Sequence, residues 1–246
     1  MNKILPLLSV APFVLLSWSH AATITWGSAT TVSGDSDVST DGTLVVAASF
    51  NQAISSIDVN GVTFTGGGTL ANLRNSSTYG TALNYSSGNS HNTAFGSTST
   101  PFGNLSGNYQ DLLESGLWET GTDPEVDLQT KTFTFGGTGN ELEDGQEYQI
   151  QIWAQDARNG KDGGALTIAG IGGVTLDYTN SNSAGGLGQY VIGTFTADAD
   201  TQSFDFVFDT TWHVNAMQLR AVPEPSAYAA IAGVLALACV VTRRRA

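Results

Sequence analysis

The chain has 246 residues, 22 of them acidic and nine basic, for a net charge of −13. That balance argues against nucleic acid and anionic membrane surfaces as partners, because phosphate binding needs a basic footprint. The single cysteine, Cys239, stands near the C-terminus, so the body of the chain holds no disulfide, thiol nucleophile or cysteine metal site.

In chain order, Lys3 provides a positively charged start, Ile4 to Trp18 an apolar run, and Ser19-His20-Ala21-Ala22 a small-residue cleavage site. This is the arrangement of a secretory signal peptide over residues 1–22. Residues 23–222 then form one domain of roughly 200 residues, long enough to bury a core without covalent staples. Within it 21 acidic residues face five basic ones, Arg74, Lys131, Arg158, Lys161 and Arg220, a balance of −16.

Strand signals dominate this domain. Thr43 to Phe50 is strand-like, and Ile54 to Thr65 reads as a hairpin turning at Asn60-Gly61. Lys131 to Phe135, Glu147 to Trp153, Gln189 to Phe195, Phe204 to Phe208 and Val214 to Arg220 complete the set. In Glu147 to Trp153 the side chains of Tyr148, Ile150 and Ile152 share one face. Period-two alternation means one face buried and one wet, the mark of an antiparallel sandwich. Thr65 to Gly107, rich in Gly, Ser, Asn and Thr, has no period. It reads either as a long surface excursion or as strands too short to show. One short helix is expected over Tyr109 to Leu117, capped by Asn108 and ending near Gly116.

The chain closes with Pro223-Glu224-Pro225, an apolar run from Ala227 to Val241, and Arg243-Arg244-Arg245. As a helix that run measures about 22 Å, short of a hydrocarbon core of about 30 Å. Flanking residues and bilayer thinning close such a gap, which gives a marginal single-pass anchor. The arginines hold the end cytoplasmic and leave the domain on the far side. Both prolines lack an N–H and fix φ, so the motif is extended and available for recognition.

In this order of motif, apolar run and basic cluster, residues 223–246 resemble the PEP-CTERM sorting signal of Gram-negative bacteria. The resemblance implies an exosortase-type sorting enzyme as partner, a transient stay in the inner membrane, and delivery to the cell surface or extracellular matrix. It singles out Pro223, Glu224, Pro225, Arg243, Arg244 and Arg245. A second resemblance rests on Tyr109 to Trp118, Tyr148 to Trp153 with Asp156-Ala157-Arg158, Gly193 to Ala197, and Asn215 to Arg220. Together these look like a recurrent exported module of Verrucomicrobia and Planctomycetes, similar to jelly-roll carbohydrate-binding and lectin-like domains. An all-β jelly-roll sandwich is the fold it implies.

Catalysis leaves little trace. No Gly-x-Ser-x-Gly pentapeptide occurs. His91 reads as solvated in a loop, and His213, beside Trp212 at a strand start, as a packing or edge residue. No enzyme activity is expected, with a secreted glycosidase the remotest alternative. Tryptophan faces match the C–H face of a pyranose, which makes Trp118 and Trp212 candidate glycan-binding residues. Asp156 and Arg158 could orient the sugar or form a local ion pair. Trp153 could serve in either way, but its place on an alternating strand points to the core. No cofactor is certain, although Asp35, Asp37 and Asp41 offer hard oxygens for a structural calcium. Asp123 to Asp127 and Asp198 to Asp200 are further acidic clusters, and turn-forming aspartate is the competing reading of them all. The resulting expectation is a structural or adhesive component of a surface or biofilm matrix, and alternatively a carbohydrate-binding module that retains polysaccharide.

Overall fold

The computed structural model describes residues 22–51, 53–66, 83–85, 90–92, 94–120, 129–168, 170–208 and 211–223. The expected signal-peptide segment up to residue 21 and the expected sorting residues Glu224, Pro225, Arg243, Arg244 and Arg245 lie outside them. Pro223 is described and exposed.

The first half of the fold begins with β1 (Thr25–Trp26), β2 (Thr30–Thr31) and β3 (Thr43–Ser49), followed by β4 (Ser56–Val59) and β5 (Val62–Thr65). Two short strands, β6 (Leu83–Tyr85) and β7 (Ser90–Asn92), precede helix α1 (Gly107–Leu113). Next come β8 (Gly116–Thr120), β9 (Gln129–Gly136) and β10 (Glu147–Ala154). The second half holds β11 (Ala165–Ile168), β12 (Val174–Asp177), β13 (Gln189–Thr196), β14 (Thr201–Phe208), β15 (Thr211–Val214) and β16 (Ala216–Ala221). The β4–β5 turn falls at Asn60-Gly61, with φ of 51° and 74°, the two positive values that a tight type I′ hairpin requires.

The pairings are nested. β3 pairs with β16, β8 and β9 with β15 and β14, β10 with β13, and β11 with β12, all antiparallel. Setting aside β1, β2 and β4 to β7, the first strand thus meets the last, the second meets the second-to-last, and so inward to the β11–β12 hairpin. This is how a long hairpin rolls up into a jelly roll. The larger sheet runs β1-β13-β10-β16-β3-β5-β4, with β2 also on β13. Facing it are the β14-β9-β6 and β15-β8-β7 ladders and the β11–β12 pair. The expected all-β antiparallel sandwich is the observed fold.

Two hydrophobic clusters lie on opposite faces of the large sheet. Between the sheets, Val46, Ile150, Ile152, Val191, Met217 and Leu219 meet Phe133, Phe135, Leu166, Leu176 and Phe204. Behind the large sheet, Ala47, Trp153 and Ala216 pack with Phe64, Tyr109 and Leu112 under helix α1. β10 is therefore buried on both faces from Gln151 onward, and its alternation separates two cores rather than core from water.

The helix is shorter than expected and is placed earlier in the chain. Ser106, not Asn108, caps it, its Oγ accepting from the Tyr109 N–H at 3.1 Å. Asn108 instead donates to the Asp58 carbonyl at 2.8 Å. The helix stops at Leu113, and Gly116 opens a strand. A Cβ there would stand 2.8 Å from the Val214 carbonyl and 3.1 Å from Phe95, so this glycine permits β8 and β15 to approach and does not end a helix. His91, expected in a loop, lies in β7 opposite Leu117. β6 and β7, at three residues each, are too short to show a period.

Candidate functional site

A cavity of about 460 Å³ opens at one end of the sandwich, where the β10–β11 connection passes β8 and β15. Trp118, Asp156, Arg158, Lys161, Tyr178 and His213 line it, with Gly160 and Asp162 to Gly164. Its volume falls in the range of small-molecule sites. Three of the four residues singled out for sugar contact, Trp118, Asp156 and Arg158, are brought together here. Trp212 is placed by its backbone in β15 opposite Glu119, and its side chain is among those not described.

Backbone bonds fix the connection that forms one wall. Asp156 N–H donates to the Tyr178 carbonyl at 2.8 Å, Ala157 N–H to the Phe95 carbonyl at 2.7 Å, and Gly185 N–H to the Ala157 carbonyl at 2.7 Å. Beneath it, Asn215 is a fully buried hub. Its Nδ2 donates to the carbonyls of Leu113, Ser115 and Gln155, and its Oδ1 accepts from the Gln155 N–H. A buried amide with its bonding capacity this fully used locks the ends of β8, β10 and β16 in one arrangement.

Asp156 is completely buried, and burying a carboxylate requires a partner. Arg158 provides it as a fork, with Nε on Oδ1 at 2.8 Å and Nη2 on Oδ2 at 2.6 Å, while its N–H reaches Oδ1 at 3.1 Å. The local ion-pair reading of these two residues holds. The guanidinium also lies 4.9 Å from the centre of the Phe95 ring, a cation–π contact that fixes its plane.

His213 is the residue whose place the sequence did not reveal. Its ring is sandwiched between Phe95, 4.4 Å away, and Tyr178, 4.5 Å away, and Trp118 meets it edge-on at 6.5 Å. Its backbone N–H donates to the Tyr178 hydroxyl at 3.0 Å. Burial pushes its pKa down to about 4, against the pull of Asp156, with Arg158 and Lys161 lowering it further. The ring is neutral at pH 7, and Nδ1 stands 3.7 Å from Asp156 Oδ2, too long for a hydrogen bond. His213 Nδ1 and Trp118 Nε1 are both buried without a hydrogen-bond partner. Such atoms are uncommon in native structures and each needs an explanation. A base with a pKa near 4 is a poor proton acceptor at neutral pH, and both Asp156 oxygens already accept from Arg158. The arrangement suits orienting contacts better than acid–base work.

The carboxylates of Asp35 and Asp37 are engaged in hydrogen bonds within the fold. Asp37 accepts from the N–H and hydroxyl of Ser33, the N–H of Gly34 and the hydroxyl of Tyr109. Asp35 Oδ1 accepts from Ser106 Oγ at 2.6 Å, and Asp41 offers its carbonyl to Arg220. Asp198 accepts from Gln202, and Asp123 to Asp127 lie outside the described residues. Among the described residues no three His, Cys, Asp or Glu side chains form a metal-holding group. Trp153, on the strand that leads to the cleft, is fully buried in the rear core.

No family model, no curated protein and no solved structure matches this chain.

Proposed function

We propose that this protein is exported, sorted by an exosortase-type enzyme through its PEP-CTERM-like tail, and deployed at the cell surface or in the extracellular matrix. There it acts as an adhesive component that retains polysaccharide in the Trp118–His213–Asp156–Arg158 cleft, without catalysing a reaction. One observation carries the cleft half of this reading: Trp118 and His213, each with a buried ring nitrogen that has no partner, line a cavity together with an anchored guanidinium. A sugar supplies both the C–H face that a tryptophan takes and the hydroxyls that satisfy such nitrogens.

Two experiments test the reading. In affinity electrophoresis of the full chain, Trp118→Ala should lose retention by the exopolysaccharide that slows the wild type. If no polysaccharide slows the wild type, the purely structural alternative is the better account. Replacing Pro223, Glu224 and Pro225 with alanine should leave unprocessed protein in the inner membrane. Normal release of that variant would remove the sorting half of the proposal.

A further inference from the structure

The charge of this domain is distributed in a way that narrows the ligand. Of the five basic residues among 23–222, three have described side chains: Arg158, Lys161 and Arg220. Arg220 is buried and donates to the carbonyls of Thr40, Asp41 and Gly42 at 2.8–3.0 Å, so its charge is held inside the fold. The other two line the cleft. The lining is formally neutral, Asp156 and Asp162 against Arg158 and Lys161, in a domain whose balance is −16. Among the described residues, the cleft is thus where the two basic side chains not held inside the fold stand together.

The hydrogen-bonding inventory points the same way. Trp118 Nε1 can only donate, and it has no acceptor. Lys161 is half-exposed and pairs with no carboxylate among the described residues, while its ammonium also can only donate. The buried Asp156 oxygens already accept from Arg158. Lys161 and Trp118 Nε1 are thus donors of the lining left unmatched among the described residues, and a ligand that brings acceptors would match them.

We infer that the cleft selects a carboxylate-bearing sugar of the uronic acid type, with Lys161 and Trp118 Nε1 donating to it and the Trp118 face against its ring. This rests on the glycan reading above and names its substrate class. A long polyuronate would be repelled by the rest of the acidic surface, an effect that salt screens. The cleaner probe is therefore a single sugar.

The test is calorimetric titration of the full chain, purified in detergent, with methyl β-D-glucuronide and, separately, methyl β-D-glucoside at one ionic strength. The glucuronide should bind about tenfold more tightly, the scale of one charge-assisted contact. Lys161→Gln, a change on a partly exposed loop residue, should remove most of that preference. Equal affinities of the wild type for both sugars would overturn the uronate assignment and leave the glycan reading standing. A preference that survives Lys161→Gln would overturn the role given to this lysine. Absence of binding by either sugar would overturn both readings together.

Discussion

Behind the large sheet Trp153 stands beside a tyrosine and an aspartate; at the end of the sandwich Trp118 stands beside a histidine and an aspartate. In the first group every polar atom is matched. Trp153 Nε1 donates to the Tyr109 hydroxyl at 3.0 Å, which donates to Asp37 at 3.2 Å, and Asp37 collects Ser33 and Gly34 as well. Phe64 packs edge-on against the indole at 5.8 Å. In the second group Asp156 is matched by Arg158, but Trp118 Nε1 and His213 Nδ1 are not. The same kinds of residue thus build a closed core in one place and an open site in the other. An unmatched buried donor costs about 1–3 kcal/mol, and the proposed ligand would offset that cost in the second group.

The largest expected difference is in stability. Trp153→Ala empties the rear core and should cost about 3–5 kcal/mol in denaturant unfolding. Tyr109→Phe keeps the volume but strands Trp153 Nε1 and removes one donor from Asp37, for a loss of about 1–3 kcal/mol. If both variants unfold at the wild-type midpoint, the rear group is not the closed core described here.

The two groups should also fail at opposite ends of the pH scale. His213 has its pKa depressed to about 4 by burial, so between the ordinary histidine value and pH 4 the unfolded chain takes a proton that the folded chain refuses. Stability from this residue is complete above about pH 6.5 and falls by about 3 kcal/mol as the pH approaches 4. Tyr109 is shifted the other way, raised by burial and then by the Asp37 charge. Its contribution is complete below about pH 10 and is lost as the pH rises beyond that. Unfolding curves of His213→Gln and Tyr109→Phe across pH should flatten the acid limb and the alkaline limb respectively. A His213→Gln curve parallel to the wild type between pH 6.5 and 4 would refute the assigned environment of this histidine.

The smallest expected effect is that of Trp118→Phe on the fold. This side chain is already partly exposed, and deleting an orphaned N–H offsets part of the lost area, so stability should stay within about 1 kcal/mol of wild type. Polysaccharide retention should nevertheless fall. A large stability loss with retention intact would make Trp118 a core residue like Trp153.

Where one segment carried the signal, it was legible in the chain. The alternation of Glu147 to Trp153 located β10, Asn60-Gly61 located the hairpin turn, and the i, i+2 spacing of Asp156 and Arg158 foreshadowed their fork. The signals that misled were local ones with two meanings. Asn108 and Ser106 are both good caps, and tertiary contact with Asp58 engages the first. Gly116 fits a helix end as well as a close strand approach. The histidine sandwich had no local signal, because Phe95, Tyr178 and His213 come from three distant segments. Phe95 also follows a stretch whose strands are only three residues long. What joins these rings is the nested winding of the jelly roll, and nesting is a property of pairings rather than of any one run of residues.

The most direct test of the open cleft compares the two indoles in one experiment. The full chain, labelled with ¹⁵N at tryptophan, is titrated with oligosaccharide fragments of an exopolysaccharide that slows it in affinity electrophoresis. The Trp118 indole N–H signal should shift and its hydrogen exchange should slow as an acceptor reaches it, while the Trp153 signal stays fixed. Binding of the fragments with the Trp118 signal unmoved would contradict the account.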